Sequence, residues 1–198
     1  MKLKQIKIAL VALVSTTFFA SCNSDNNDTT PTAEVKKEVS LSTSATLGSY
    51  LSDKDGRSLY YFSTDANGQA SCTGGCEAVW PAFVVDNLTA DKIGTGLTFS
   101  DFATITTASG KKQVTYKGWP LYYYAPSVSG TNTAEAAGKT TGDGVGGVWF
   151  IAKPDYSIMI VRSQLVGHDT KNYKSDYTVG DGLTTYFTDA KGISRYTF

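Results

Sequence analysis

Cys72 and Cys76 stand four residues apart in Cys72-Thr-Gly-Gly-Cys76. A pair this close can close a disulfide, bind a metal as thiolates or cycle between redox states, and the last two need further ligands or a depressed thiol pKa. His168 is the only histidine of the chain, so a zinc site of two cysteines and two histidines is excluded, as is a bis-histidine haem within one chain. Tyrosine ligation of a haem stays open. A serine triad would have to use His168, which lies in the polar stretch Gly167-His-Asp-Thr170, and no nucleophile-elbow sequence accompanies it. Asp53, Asp55, Asp65, Asp143 and Asp181 could in principle converge as paired carboxylates. Acidic residues beside glycine are, however, mostly turn residues, and Gly142-Asp-Gly144 and Gly180-Asp-Gly182 lack the alternating oxygen ligands of a calcium loop. No catalytic set, metal or cofactor is therefore expected. The 12 tyrosines suit a binding face, but aromatic side chains on strands usually form the core or cross-strand pairs.

The ends of the chain place these residues. Lys2, Lys4 and Lys7 precede the largely apolar run Ile8 to Phe19, too short to cross a bilayer as a helix and suited to a secretory signal. The run closes on Phe19-Ala-Ser-Cys22, which resembles the lipobox of bacterial lipoprotein signal peptides. That resemblance implies cleavage before Cys22 and lipidation of its thiol, hence a protein held on a membrane by acyl chains. Residues 22–45, rich in Asn, Asp, Thr and Ser, read as a disordered tether. Removing residues 1–21 leaves 15 basic against 18 acidic residues. Nucleic acid is not an expected partner, because that function needs a basic surface. In an exported chain Cys72 and Cys76 are expected to pair.

The elements that must position these residues are repeated. Tyr50 to Phe62 returns as Tyr186 to Phe198, with Asp53, Gly56 and Tyr60 falling on Asp189, Gly192 and Tyr196. A looser copy sets Gly118, Leu121 and Tyr122 on Gly56, Leu59 and Tyr60. Such self-similarity marks a supersecondary unit that needs its neighbours to bury an apolar face. The glycines are expected to turn hairpins through positive φ. Further β-like runs cover 102–107, 112–116 and 119–125, expected as a meander, and 148–152 with 157–162, expected as a hairpin whose second strand is covered on both faces. Helix formers are confined to one turn near 75–80, before Pro81. The expected class is all-β: antiparallel repeated hairpins in a small sandwich or barrel-like sheet.

Gly56-x-x-Leu59, Tyr60-Tyr-Phe62-Ser-Thr-Asp65, Cys72-x-x-x-Cys76 before Trp80-Pro81, Val114 to Tyr123, and Gly142 to Phe150 follow one another in order. Together they resemble the bacterial secreted-repeat lipoproteins described by a Tyr-x-(Phe/Trp/Tyr)-x-x-Asp motif, a family of undefined biochemical role. The middle copy carries Ser127 where the motif has its aspartate, so Asp65 is expected to be the motif's one carboxylate, capping the turn that follows its strand. The domains expected are a signal (1–21), a tether (22–45), a secreted-repeat β domain (46–166), and a linker with the start of a further repeat (167–198), truncated at Phe198. The function implied is a lipid-anchored, non-enzymatic binding or display module of a Gram-negative envelope, at the outer membrane. The alternative is a redox or haem/metal-associated accessory of envelope electron transfer.

Overall fold

A computed structural model describes residues 36–194; Cys22, the signal segment and Tyr196 to Phe198 lie outside the described residues. Strands β1 (Val39–Ser44) and β2 (Gly48–Asp53) form an antiparallel ladder with Leu41 opposite Leu51. Strand β3 (Tyr60–Phe62) and the short helix α1 (Gly75–Val79) follow. The meander β4 (Phe102–Thr106), β5 (Lys112–Tyr116) and β6 (Trp119–Pro120) pairs in sequence order, and a short hairpin of two-residue strands, β7 (Ser127–Val128) with β8 (Thr131–Asn132), follows it. Strand β9 (Trp149–Ile151) pairs with β3, and β10 (Met159–Val166) lies between β11 (Asn172–Tyr173) and β12 (Leu183–Thr188). The fold is all-β, in several small antiparallel sheets, with no closed barrel among the described residues.

Three expectations need correction. β1 occupies the end of the segment read as tether: its Ser- and Thr-rich sequence looks solvated, yet Val39 is fully buried and Leu41 packs on the same core. Residues 148–152 and 157–162 do not pair with each other, because β9 takes β3 as partner while β10 takes β11 and β12. The stretch 157–162 is also covered on one face only, with Met159 and Val161 buried and Ile158, just before β10, and Ile160 61% and 38% exposed.

The turns carry the repeat into three dimensions. Asp53 accepts the N–H groups of Asp55 and Arg57 on one carboxylate oxygen, both at 2.9 Å, and its carbonyl accepts Gly56 N–H at 3.0 Å. Asp189 accepts Lys191 and Ile193 N–H at 2.9 and 3.0 Å and Gly192 N–H on its carbonyl at 3.0 Å. Gly56 and Gly192 sit at φ 80° and 81°, where a Cβ is strained. The bridge Ser52↔Ser58 after the first turn recurs as Thr188↔Ser194 after the second.

Candidate functional site

The first two copies meet about a local two-fold axis through the pair Tyr60 and Tyr122, and this crossing is the candidate site. Tyr60 N–H donates to the Tyr122 carbonyl and Tyr122 N–H to the Tyr60 carbonyl, both at 2.9 Å. One residue earlier Leu59 N–H reaches the Leu51 carbonyl (2.9 Å), as Leu121 N–H reaches that of Val114 (3.0 Å). Leu51 N–H bonds the Ala152 carbonyl (2.8 Å), and Val114 N–H bonds that of Phe83 (2.9 Å). Each copy's Leu-Tyr strand is thus flanked by the tail strand that leaves the other copy, so neither copy completes its hydrogen bonding alone.

The side chains obey the same symmetry. Trp80 and Trp149 head the two tail strands and stack on each other across the axis, centroids 3.9 Å apart and planes 4° from parallel. Tyr60 meets Trp80 edge-on at 5.6 Å, as Tyr122 meets Trp149 at 5.1 Å. Phe62 and Tyr124 extend the stack outward, lying 4.0 Å from Trp149 and 4.4 Å from Trp80. The result is a row of four rings in the order Phe62, Trp149, Trp80, Tyr124. Its two ends are half-buried and its middle is closed to water.

Two carboxylates lock the crossing. The Tyr122 hydroxyl donates to Asp65 at 2.6 Å, and Asp65 also accepts Ser71 N–H and Ser71 O–H at 3.0 and 2.5 Å. The Tyr60 hydroxyl donates to Glu135, which accepts Thr141 N–H and Thr141 O–H at 2.9 and 2.8 Å. In both, acid and hydroxyl residue are six positions apart, and each acid holds the tyrosine of the other copy. Burial first, and then the neighbouring carboxylate, push both phenols above their usual pKa. Burial likewise raises the Asp65 carboxyl, against the opposing pull of Ser71 and Tyr122. A carboxylate accepting three donors can be buried at tolerable cost. Gly142 donates its N–H to the Tyr60 hydroxyl at 3.3 Å, and a Cβ there would lie 2.8 Å from Tyr60 Cζ and 2.9 Å from Tyr124 Cβ.

Of the expected site residues, Tyr60, Phe62 and Asp65 all join this crossing, with the disulfide Cys72–Cys76 beside them: Cys72 packs in the same cluster and its sulfur lies 3.9 Å from the Trp80 carbonyl. Gly56 and Gly118, at φ 80° and 88°, turn the chain into its two Leu-Tyr strands, whereas Gly192 serves the third copy. Asp65 does more than cap its turn, and it is not the one carboxylate of the arrangement. Glu135 plays the second role in place of Ser127, because the β7–β8 hairpin inserts between Tyr124 and the acid. The signal that finds it is the acid-to-hydroxyl spacing: Asp65 with Ser71, Glu135 with Thr141. Asp53 is buried on a different duty, accepting Tyr123 O–H at 2.9 Å and pairing with Arg57 at 2.8 Å. Asp143 accepts Ile151 N–H at 2.9 Å. His168 is exposed in a turn away from these groups, and among the described residues no cluster of three metal-ligating side chains occurs.

The cleft beside Tyr61, Trp119 and Tyr156 has room for about one water molecule, roughly 20 Å³. A more open hollow of about 250 Å³ lies between Ser100 and Lys191. Neither reaches the buried tyrosine–carboxylate pairs.

The third copy rests against one side of this pair. Arg162 N–H donates to the Ser63 carbonyl at 3.0 Å, Trp119 Nε1–H to that of Ala190 at 3.1 Å, and Tyr61, Trp119, Met159 and Val161 form the shared apolar cluster.

Comparison with known proteins finds one family on both sides of the crossing. A family described as a secreted repeat of unknown function matches residues 42–84 and again 103–134. The first match contains β2, β3 and Trp80, the second β5, β6 and Tyr122, so each matched segment holds one Leu-Tyr strand of the crossing, while Glu135, Thr141 and Trp149 lie beyond the second match. No curated protein and no solved structure matches the chain.

Proposed function

We propose that this is a non-enzymatic binding or display module of the bacterial envelope, lipid-anchored through Cys22 at the outer membrane. The observation that carries the reading is where the motif residues are spent. Tyr60, Tyr122, Asp65 and Glu135 are buried and bonded to one another across two copies, which makes the motif the device that builds the repeat pair and leaves its outer surface to present or bind. Both secreted-repeat matches support a location outside the cytoplasm, and the small net charge of the processed chain argues against a nucleic-acid partner. The Cys22→Ser chain should leave the membrane fraction; its retention there would overturn the anchor. Binding to envelope material should survive Tyr60→Phe and Tyr122→Phe under conditions where both variants stay folded. Loss of binding in a folded variant would put the ligand in the motif instead.

One observation favours a second reading, an accessory of envelope electron transfer. Four rings follow one another at 4.0, 3.9 and 4.4 Å between half-buried ends, next to a disulfide. Purified chain should then carry a chromophore or metal, or change its absorbance on addition of haem. A colourless, metal-free protein indifferent to haem removes this reading.

A further inference from the structure

We infer that the crossing is a one-electron relay in which the ring row carries an oxidising equivalent inward and Tyr60 and Tyr122 hold it as tyrosyl radicals, each passing its proton to the carboxylate it already touches. The inference rests on the ring row that motivates the electron-transfer reading, but it requires neither haem nor metal.

The choice of acceptor points there. A buried phenol needs one acceptor, and a backbone carbonyl or side-chain amide supplies it without burying a charge, so a carboxylate is the costlier answer. Both copies use one all the same. In the second copy Ser127 stands where the motif has its aspartate, and Glu135 restores the acid in space on the other side of an inserted hairpin. What a carboxylate does that a carbonyl cannot is keep the proton. Tyr122 O–H lies 2.6 Å from Asp65, and Tyr60 O–H is bonded to Glu135, within the reach that direct proton transfer needs. Burial, and then the adjacent acid, hold both phenols protonated above their usual range, so the proton leaves only together with an electron.

The rings supply the electron's path. Tyr124 is the oxidisable end of the row and is half-buried. From it contacts run to Trp80 at 4.4 Å, on to Trp149 at 3.9 Å, and sideways from Trp80 to Tyr60 at 5.6 Å and from Trp149 to Tyr122 at 5.1 Å. Each of these is a ring-to-ring contact. Tyr123 also donates to a carboxylate, but its acceptor Asp53 is already paired with Arg57 and its ring packs on Phe83 outside the row.

The step balances within the pair. A high-potential one-electron oxidant, such as an oxygen-centred radical, gains one electron at the Tyr124 end. The Tyr60 O–H bond breaks, its electron leaves along the row, and its proton forms a new O–H bond on Glu135, which passes from anion to neutral acid. Tyr122 and Asp65 do the same. A one-electron reductant of the ascorbate class returns the electron, and the proton goes back to the phenoxyl oxygen.

Photogenerated tris(bipyridine)ruthenium(III), added to the purified full chain, should produce a neutral tyrosyl signal by electron paramagnetic resonance that ascorbate abolishes without dityrosine forming. A water-soluble gadolinium chelate should relax that signal less than it relaxes the radical of the same chain unfolded in urea. Tyr123→Phe and Tyr177→Phe, the latter at a side chain 83% exposed, should leave the signal in place. Tyr60→Phe combined with Tyr122→Phe should lose it. So should Glu135→Gln combined with Asp65→Asn, where the phenols keep their rings and lose only their proton acceptors. The two wild-type arms stand even where a combined variant fails to fold. No tyrosyl signal in the folded wild-type chain, a signal relaxed as strongly as in the unfolded chain, or one that persists in either folded combined variant would overturn the inference. A chain that binds haem yet forms no such radical would overturn the relay and leave the haem accessory standing; a metal-free chain indifferent to haem that forms the radical removes that accessory and leaves the relay.

Discussion

A phenol removed from water must donate its proton to something, and here each buried motif tyrosine donates to a carboxylate that was itself costly to bury. Tyr122→Phe leaves Asp65 with two donors instead of three and should lower stability by about 1–3 kcal/mol in urea melts. Tyr60→Phe should act comparably through Glu135. The same burial sets the alkaline behaviour. Tyr116 and Tyr156 are both pushed up to about 12, by burial first and then by Asp101 and by Asp143 respectively, while Tyr60, Tyr61, Tyr122 and Tyr123 are pushed further up, burial leading in each. Because these folded values lie above the unfolded value near 10, the stability they contribute is complete below pH ~10 and is lost as pH rises through the folded values. Tyrosinate absorbance should therefore rise late and jump with the loss of near-ultraviolet circular dichroism. A smooth titration complete near pH ~10 with the fold intact would mean the phenols are not buried. At this scale Asp65 was legible from its motif, whereas Glu135 was not, because an inserted hairpin moved the acid along the chain without moving it in space.

Between residue and molecule, the working element is a hairpin turned at a glycine. Gly56 and Gly192 share one backbone conformation and one set of aspartate-to-backbone bonds, yet they differ in what depends on them. Gly56→Ala strains a turn that feeds the Leu59-Tyr60 strand and brings its Cβ to 3.4 Å from Ala137. It should cost about 1–2 kcal/mol of global stability. Gly192→Ala strains the turn of the third copy and should raise amide exchange in β12 while leaving the β2–β5 amides protected. Equal global losses in both variants would contradict this division. These turns could be read directly from Asp-x-x-Gly in the sequence, since positive φ is written in glycine. β1 could not, because its Ser and Thr residues look like tether and only pairing with β2 makes Val39 and Leu41 a core face. The same limit applies to β9: nothing local says that a tail strand crosses to the partner copy.

At the largest scale the described residues form a pair of interlocked copies with a third hairpin leaning on one flank. Interlocking makes the pair one cooperative unit, since unfolding either copy strips the other of its tail strand. Amides of Leu51, Leu59, Tyr60, Val114, Leu121 and Tyr122 should exchange only through global unfolding, and those of β10 and β12 at lower free energy. Reducing Cys72–Cys76, a short loop inside the crossing, should lower stability by about 2 kcal/mol without splitting the transition in two. The repeat itself was legible, but its pseudo-two-fold assembly was not, because sequence similarity reports which segments are alike and not which of them exchange strands. The most direct test is a double-mutant cycle between Tyr60→Phe and Glu135→Gln, residues 75 positions apart that only the interlocked arrangement brings together. The account predicts a coupling of about 0.5–3 kcal/mol between them; losses that simply add would contradict it.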